Sequence, residues 1–452
     1  MTRAAIDNLG IPPLAGLCSY EEACRAGYGV EENVNLLKRY NYVNRRVNEI
    51  LTAHLPRTQE WEVKCGMGLH IWLAAEHCTL LRKRVSEMRE PPLHLDACPD
   101  PRLEQWMDEA IRSKTTPELL AGVYRVVLPA LAESYERHLA ETNPMIDHPT
   151  CRILKIMLSE AKEMIAWGEQ ALYAVVENGP AREEAESWAR HLLRFLSAAG
   201  GIHGDSESAD TQDLPMPRSD GSPYEMDVVP KRDGRFVDPF NQSALIDDYY
   251  RDEDRPPDER TYALLYKRLR EMDVPEYMAP ILYKTKGKPW DYYADLSRQL
   301  WDETRHAMMG EVGLYRDGVP FYRFPIDMKT SVTANTQLEP LQAHLILTGI
   351  ELSLMPKETG KRFEWVVAMA SGNDLAAAIQ DYDWADEVLH AQIGRRWLVP
   401  EFGSLQNLQS AYDRLWPTWW ARSLEKRGLS EQSPWWEQFL HDIRESRKRL
   451  AE

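Results

Sequence analysis

Residues 301–311 read WDETRHAMMGE, and residues 384–390 read WADEVLH. Each contains Asp-Glu-x-x-His, as Asp302-Glu303 with His306 and as Asp386-Glu387 with His390. Side chains three apart on a helix share a face. Glu303 and His306 therefore present a carboxylate and an imidazole together, and so do Glu387 and His390. One Glu-x-x-His arises easily by chance in a chain with 12 His. These two are the only such pairs in the sequence, and both carry the preceding Asp. The repetition is the signal.

A carboxylate and an imidazole at this spacing can share one metal ion. In helical bundles that hold two ions, two helices each give Glu-x-x-His and two others each give a lone Glu. The chain supplies lone acids in the matching order. Glu276 lies upstream of the first motif in VPEYMAPIL, and Glu351 lies upstream of the second in LTGIELSL. Glu351 has almost wholly apolar flanks. A buried, unpaired carboxylate is costly, so it is expected to be neutralised, paired or metal-bound. Glu271 rivals Glu276 as the first ligand. The two are five apart, roughly 140° round a straight helix, and cannot both face one site. The more apolar surroundings favour Glu276, although Pro275 marks a start or kink beside it.

With these residues in place, segment 258–400 resembles the ferritin-like di-metal-carboxylate superfamily. The resemblance rests on Glu276, Glu303-x-x-His306, Glu351 and Glu387-x-x-His390, in the order Glu, Glu-x-x-His, crossover, Glu, Glu-x-x-His. It covers about a third of the chain. It implies a ferritin-like four-helix bundle with those six residues as metal ligands. It also implies Asp302 and Asp386 as supports that bond a ligand imidazole and fix its tautomer. Arg305 is read as a charge partner behind the ligands. The implied cofactor is two iron ions, with iron–manganese or di-manganese as variants. The implied activity is that of a non-haem oxidase or oxygenase acting on a small organic substrate with O₂. An external electron donor and a homodimer are compatible with it. No catalytic residue beyond the ligands is assigned.

The rest of the chain reads as all-α. Apolar residues recur at 3–4 spacing through residues 1–199, which are expected to form an N-terminal helical domain. Gly200-Gly201 ends its last helix. Residues 200–257, rich in Gly, Pro, Ser and Asp, read as an irregular connecting arm, either packed or serving as a lid. The bundle occupies 258–400. Residues 401–452 read as Trp-rich helices packing on it. Within the bundle, segment 316–335 interrupts the helical pattern and suggests a short strand or an extended crossover. His344, Glu311 and Tyr283 are further candidates to line the site, although packing explains each. His70, Glu76, His77 and Glu160 gather acid and imidazole in the first domain without any Glu-x-x-His.

Composition removes other classes. The net charge is −17, which disfavours broad binding to nucleic acid or anionic membranes. No apolar run is long enough for a membrane span. The six Cys form no C-x-x-C, so zinc-ribbon and thioredoxin patterns are missing. The N-terminal stretch shows no signal pattern, so a cytoplasmic protein is the expectation. Phosphate-loop and G-x-S-x-G patterns are absent. Two other function classes stay open: a helical scaffold with a vestigial site, and ferritin-like iron storage or peroxide handling. The chain is long for a cage-forming ferritin.

Overall fold

The computed structural model describes residues 9–176, 179–205, 214–237, 246–427 and 434–452. Among these every regular element is helical, and none is a strand. Packing divides the chain into two units. One comprises Met1–Ile50 and Leu73–Tyr224, the other Leu51–Trp72 and Glu225–Glu452. This differs from a boundary at residue 199. The arm divides between the units, and residues 51–72 join the second. The described residues of 200–237 carry no helix, while 206–213 and 238–245 lie outside the described residues.

The first unit holds α1 (Tyr20–Ala23) and most of α2 (Val30–His54). It also takes the later part of α3 (Trp61–Ser86). The helices α4 (Pro101–Ala110), α5 (Thr116–Leu120), α6 (Leu128–Glu141), α7 (His148–Val175) and α8 (Gly179–Ala198) complete it. Local chemistry sets the ends. Asp100 caps α4 by accepting from the Arg102 amide, with Pro101 at the first turn. Beyond α8, Gly200 and Gly201 turn the chain with φ of 73° and 74°. Inside, the Tyr40 hydroxyl lies 2.8 Å from His203 Nε2 and 3.3 Å from His138 Nδ1. Burial pushes the His138 imidazole down to about 4.

The second unit is built on two broken helices and two long ones. After α9 (Ile246–Arg251), α10 (Pro257–Arg270) and α11 (Asp273–Lys284) are separated by a break at Glu271 and Met272. The first long helix is α12 (Trp290–Arg316). Segment 316–335, read above as a strand or extended crossover, contains no strand. It holds a 3-10 turn at Phe321–Arg323 and the start of α13 (Lys329–Gln337). Next, α14 (Pro340–Ser353) and α15 (Lys361–Ala370) flank a loop, and α16 (Asp374–Phe402) is the second long helix. Asn373 caps α16 and left-handed Gly403 ends it. The helix α10 packs on α12 and α15, α12 on α16, and α14 and α15 on α16. Finally α17 (Leu405–Arg427) rests on α13 and α14. Trp435 and the start of α18 (Trp436–Ala451) pack round Tyr266 of α10. No helix among the described residues is long and apolar enough to cross a membrane.

Two glycines set the helix spacing. A Cβ on Gly310 of α12 would lie 2.5 Å from Leu269 N and 2.7 Å from Leu265 O of α10. A Cβ on Gly394 of α16 would lie 2.5 Å from Thr348 Cγ2 of α14. Each glycine stands four residues after a motif histidine. One turn beyond each imidazole, the long helix thus admits the neighbour that carries a lone acid.

Two outcomes follow from these packings. Gly310→Ala forces backbone apart and is expected to cost about 1–3 kcal/mol in urea unfolding. Gly234→Ala, where an added Cβ meets nothing, should be close to neutral. The second concerns acid. The His138 pKa is lower folded than unfolded, so the unfolded state binds the extra proton. Stability is then lost as pH falls from about 6.5 towards 4, with a slope of about one proton. Unfolding curves across that range should show the slope reduced by that amount in His138→Gln.

Candidate metal centre

The two motifs meet between α12 and α16. Glu303, Glu351, Glu387 and His390, all buried, each bring a ligand atom within 4.8 Å of the others. Glu271, His306 and Asp383 form a second group by the same measure. Glu303 joins the two. Its Oε1 lies 3.1 Å from His390 Nδ1 and its Oε2 lies 3.4 Å from His306 Nδ1. Glu387 Oε2 lies 3.4 Å from His390 Nδ1, and Glu387 Oε1 lies 2.8 Å from Lys361 Nζ. The two imidazole centroids are 5.9 Å apart.

Support from behind crosses over. Asp386, of the second motif, lies 3.1 Å from Nε2 of His306, of the first. Asp302, of the first, lies 3.5 Å from Nε2 of His390, of the second. Arg305 donates to both acids, at 2.9 Å to Asp302 and 2.6 Å to Asp386. Arg298 adds bonds of 3.0 and 2.9 Å to Asp302. With each Nε2 facing an aspartate, each Nδ1 is left for the centre.

The charges are strongly coupled. Burial alone would lower the His306 pKa, but Asp386 and Glu303 outweigh it and raise it to about 10. His390 is raised well above its ordinary value against burial, by Asp302, Glu303 and Glu387. Burial, together with the charges of Glu387 and Glu303, pushes Glu351 well up. Glu387 is held well down despite burial, chiefly by Lys361. With no ion present, the shifts on His306, His390 and Glu351 all run towards the protonated form. A metal ion would displace such protons on binding.

The two groups differ in how well they fit an ion. His390 Nδ1 and Glu387 Oε2 are buried and make no hydrogen bond. They face the same space as Glu303 and Glu351. Three carboxylates and an imidazole are a donor set that could hold a metal ion. In the second group His306 Nδ1 and Glu271 Oε2 also lack hydrogen bonds, but its acids already have cations. Arg268 is ion-paired with Asp383, and its Nη2 lies 3.0 Å from Glu271. Lys361 Nζ lies 2.9 Å from Asp383 and 3.4 Å from Glu271.

Comparisons with protein-family models, curated proteins and solved structures gave no match.

One ligand expectation is corrected. Glu276 joins neither group. It is fully buried in α11 and ion-paired with Lys64 and Arg232. Glu271, at the C-terminal end of α10, takes the place expected for it. The break between α10 and α11 is what turns Glu271, rather than Glu276, towards His306. The weaker candidates are occupied elsewhere. His344 Nδ1 lies 3.2 Å from the Tyr292 hydroxyl, Glu311 accepts from the Trp61 indole at 3.0 Å, and the Tyr283 ring lies under Lys286. In the first unit His77 lies 2.7 Å from Glu160 and 3.2 Å from Asn44, and Glu76 is exposed; buried His70, in the second unit, joins neither ligand group. The sequence reading missed Asp383, Lys361 and Arg268. Asp383 had a signal, standing one turn before Glu387 on the same face.

Glu276→Gln removes the charge that counters Lys64 and Arg232. It is expected to cost about 3–5 kcal/mol, as breaking a buried ion pair does, and to leave bound metal per folded chain unchanged. Parallel unfolding and elemental measurements check both halves of this outcome.

Proposed function

We propose that this chain is a metal-dependent oxidoreductase, a non-haem iron (or manganese) oxidase or oxygenase with a small organic substrate. One observation carries the reading: buried His390 points Nδ1 into the carboxylates, 3.1 Å from Glu303 and 3.4 Å from Glu387, in one cluster with Glu351. The superfamily resemblance supplies the reaction class. The bound ion would supply O₂-dependent oxidation, with electrons from the substrate or an external donor.

The chain's own residues have distinct tasks in this reading. Glu303, Glu351, Glu387 and His390 hold the ion. Asp302 orients His390, and Arg305 holds Asp302 in place. Gln299 donates to Glu351 Oε1 at 3.2 Å and so fixes that carboxylate. Burial of all four ligands keeps bulk water from the reacting centre.

A second reading is a helical scaffold whose acid cluster is a structural ion network. The positions of Lys361 and Arg268 favour it, since they counter part of the acid charge without any metal.

Anaerobic loading with ferrous iron, followed by elemental analysis, separates the two. The metal reading expects tightly held iron that is lost in Glu351→Ala, and O₂ uptake on exposure to air. Protein that holds neither iron after this loading nor manganese after loading with manganous ion would leave only the scaffold. Asp302→Asn is expected to weaken iron binding about 10–100-fold, as loss of a support behind a ligand histidine does, with the helical circular dichroism unchanged.

A further inference from the structure

The two long helices carry the same ladder with one exchange. Gln299, Glu303, His306 and Gly310 on α12 correspond in spacing to Asp383, Glu387, His390 and Gly394 on α16. The neutral Gln299 faces Glu351 in the first group, while the charged Asp383 belongs to the second. The residue three before each lone acid also differs. Before Glu271 it is Arg268, and before Glu351 it is Thr348. One half is therefore lined by neutral partners and the other by an added acid and an added cation.

Lys361 completes the asymmetry. It is fully buried. Its ammonium lies 2.8 Å from Glu387 Oε1, 2.9 Å from Asp383 Oδ1 and 3.4 Å from Glu271 Oε1. Three N–H donors meet three carboxylates. One of these oxygens, Asp383 Oδ1, is also the one that faces His306 Nδ1, at 3.5 Å, and the ammonium thus shares both acids of the His306 group. Lys361 is also the first residue of α15, where the helix dipole disfavours a cation. Helix stability therefore does not explain it. The preceding loop fixes it there. The Lys361 amide donates to Leu354 O at 3.0 Å. A Cβ on Gly360 would collide with the backbone carbonyls of Leu354 and Pro356.

We infer that the Lys361 ammonium takes the place of a second metal ion, so that the centre binds one ion per chain, in the group made by Glu303, Glu351, Glu387 and His390. This rests on the metal reading above. It departs from the two-ion expectation of the resemblance. With Arg268, Lys361 neutralises Glu271 and Asp383, and a divalent ion placed there would meet two fixed positive charges at close range. The other group keeps three carboxylates, of which only Glu387 is shared with a fixed cation.

The test counts ions in the full-length chain after anaerobic loading with ferrous iron, and records electron paramagnetic resonance after loading with manganous ion instead. One ion per wild-type chain and the spectrum of an isolated ion are expected. His390→Ala should lose the ion and His306→Ala should keep it. Lys361→Met, checked for helicity by circular dichroism, should rise towards two ions with an exchange-coupled spectrum. Two ions in the wild type overturn the inference, as does equal loss in both histidine variants. A folded Lys361→Met that stays at one ion overturns the assignment to Lys361. If that variant does not fold, the wild-type count and the histidine pair decide. No iron or manganese in the wild type overturns the metal reading itself, a result distinct from either count.

Discussion

Burying acids without losing the fold is the constraint that organises the second unit. Glu271, Glu303, Glu351, Asp383 and Glu387 converge in a region largely closed to water. Their mutual repulsion has to be met by positive charge at close range. The fixed cations are unevenly placed. Lys361 and Arg268 lie at one end and Arg305 lies behind the imidazoles. What fixed charge leaves uncovered, protons or a metal ion must cover. The same demand explains the helix geometry. Acids from four helical segments reach one centre only if the helices approach closely, and Gly310 and Gly394 permit that.

Glu276 shows the same rule away from the centre. It has the apolar flanks that mark a buried acid, and it is buried. Its countercharge comes from Lys64 and Arg232, both far away in sequence. A hydrophobic neighbourhood thus says that an acid needs a partner. It does not say whether the partner is a metal ion or a lysine.

The legible parts of the chain were those written on single helices. The all-α class followed from periodicity. Glu303 with His306 and Glu387 with His390 followed from one turn of helix each, and Glu351 from its apolar surroundings. Asp383 was equally open to reading, one turn before Glu387. What could not be read depended on breaks and crossings. The interruption at Glu271 and Met272 decides which acid of α10 and α11 turns inward, and tertiary packing sets it. Lys361 enters through a loop closed by its own backbone and by Gly360. Nothing in the local pattern KETGKRF announces that. The exchange of supports between motifs was also hidden. An aspartate next to a glutamate suggests help for its own histidine, whereas in the structure each serves the histidine on the facing helix.

That exchange has a consequence for any attempt to move the site. A helix carrying Asp-Glu-x-x-His is here an incomplete part. It brings an imidazole whose support lies on another helix and a support meant for another imidazole. Arg305 then fastens both supports from one side only. Transplanting either helix alone into a new scaffold would carry over ligands with the wrong tautomer control. The smallest transferable piece is the antiparallel couple of α12 and α16, with residues 302–310 and 386–394 kept in register, together with the turn of α14 that brings Glu351.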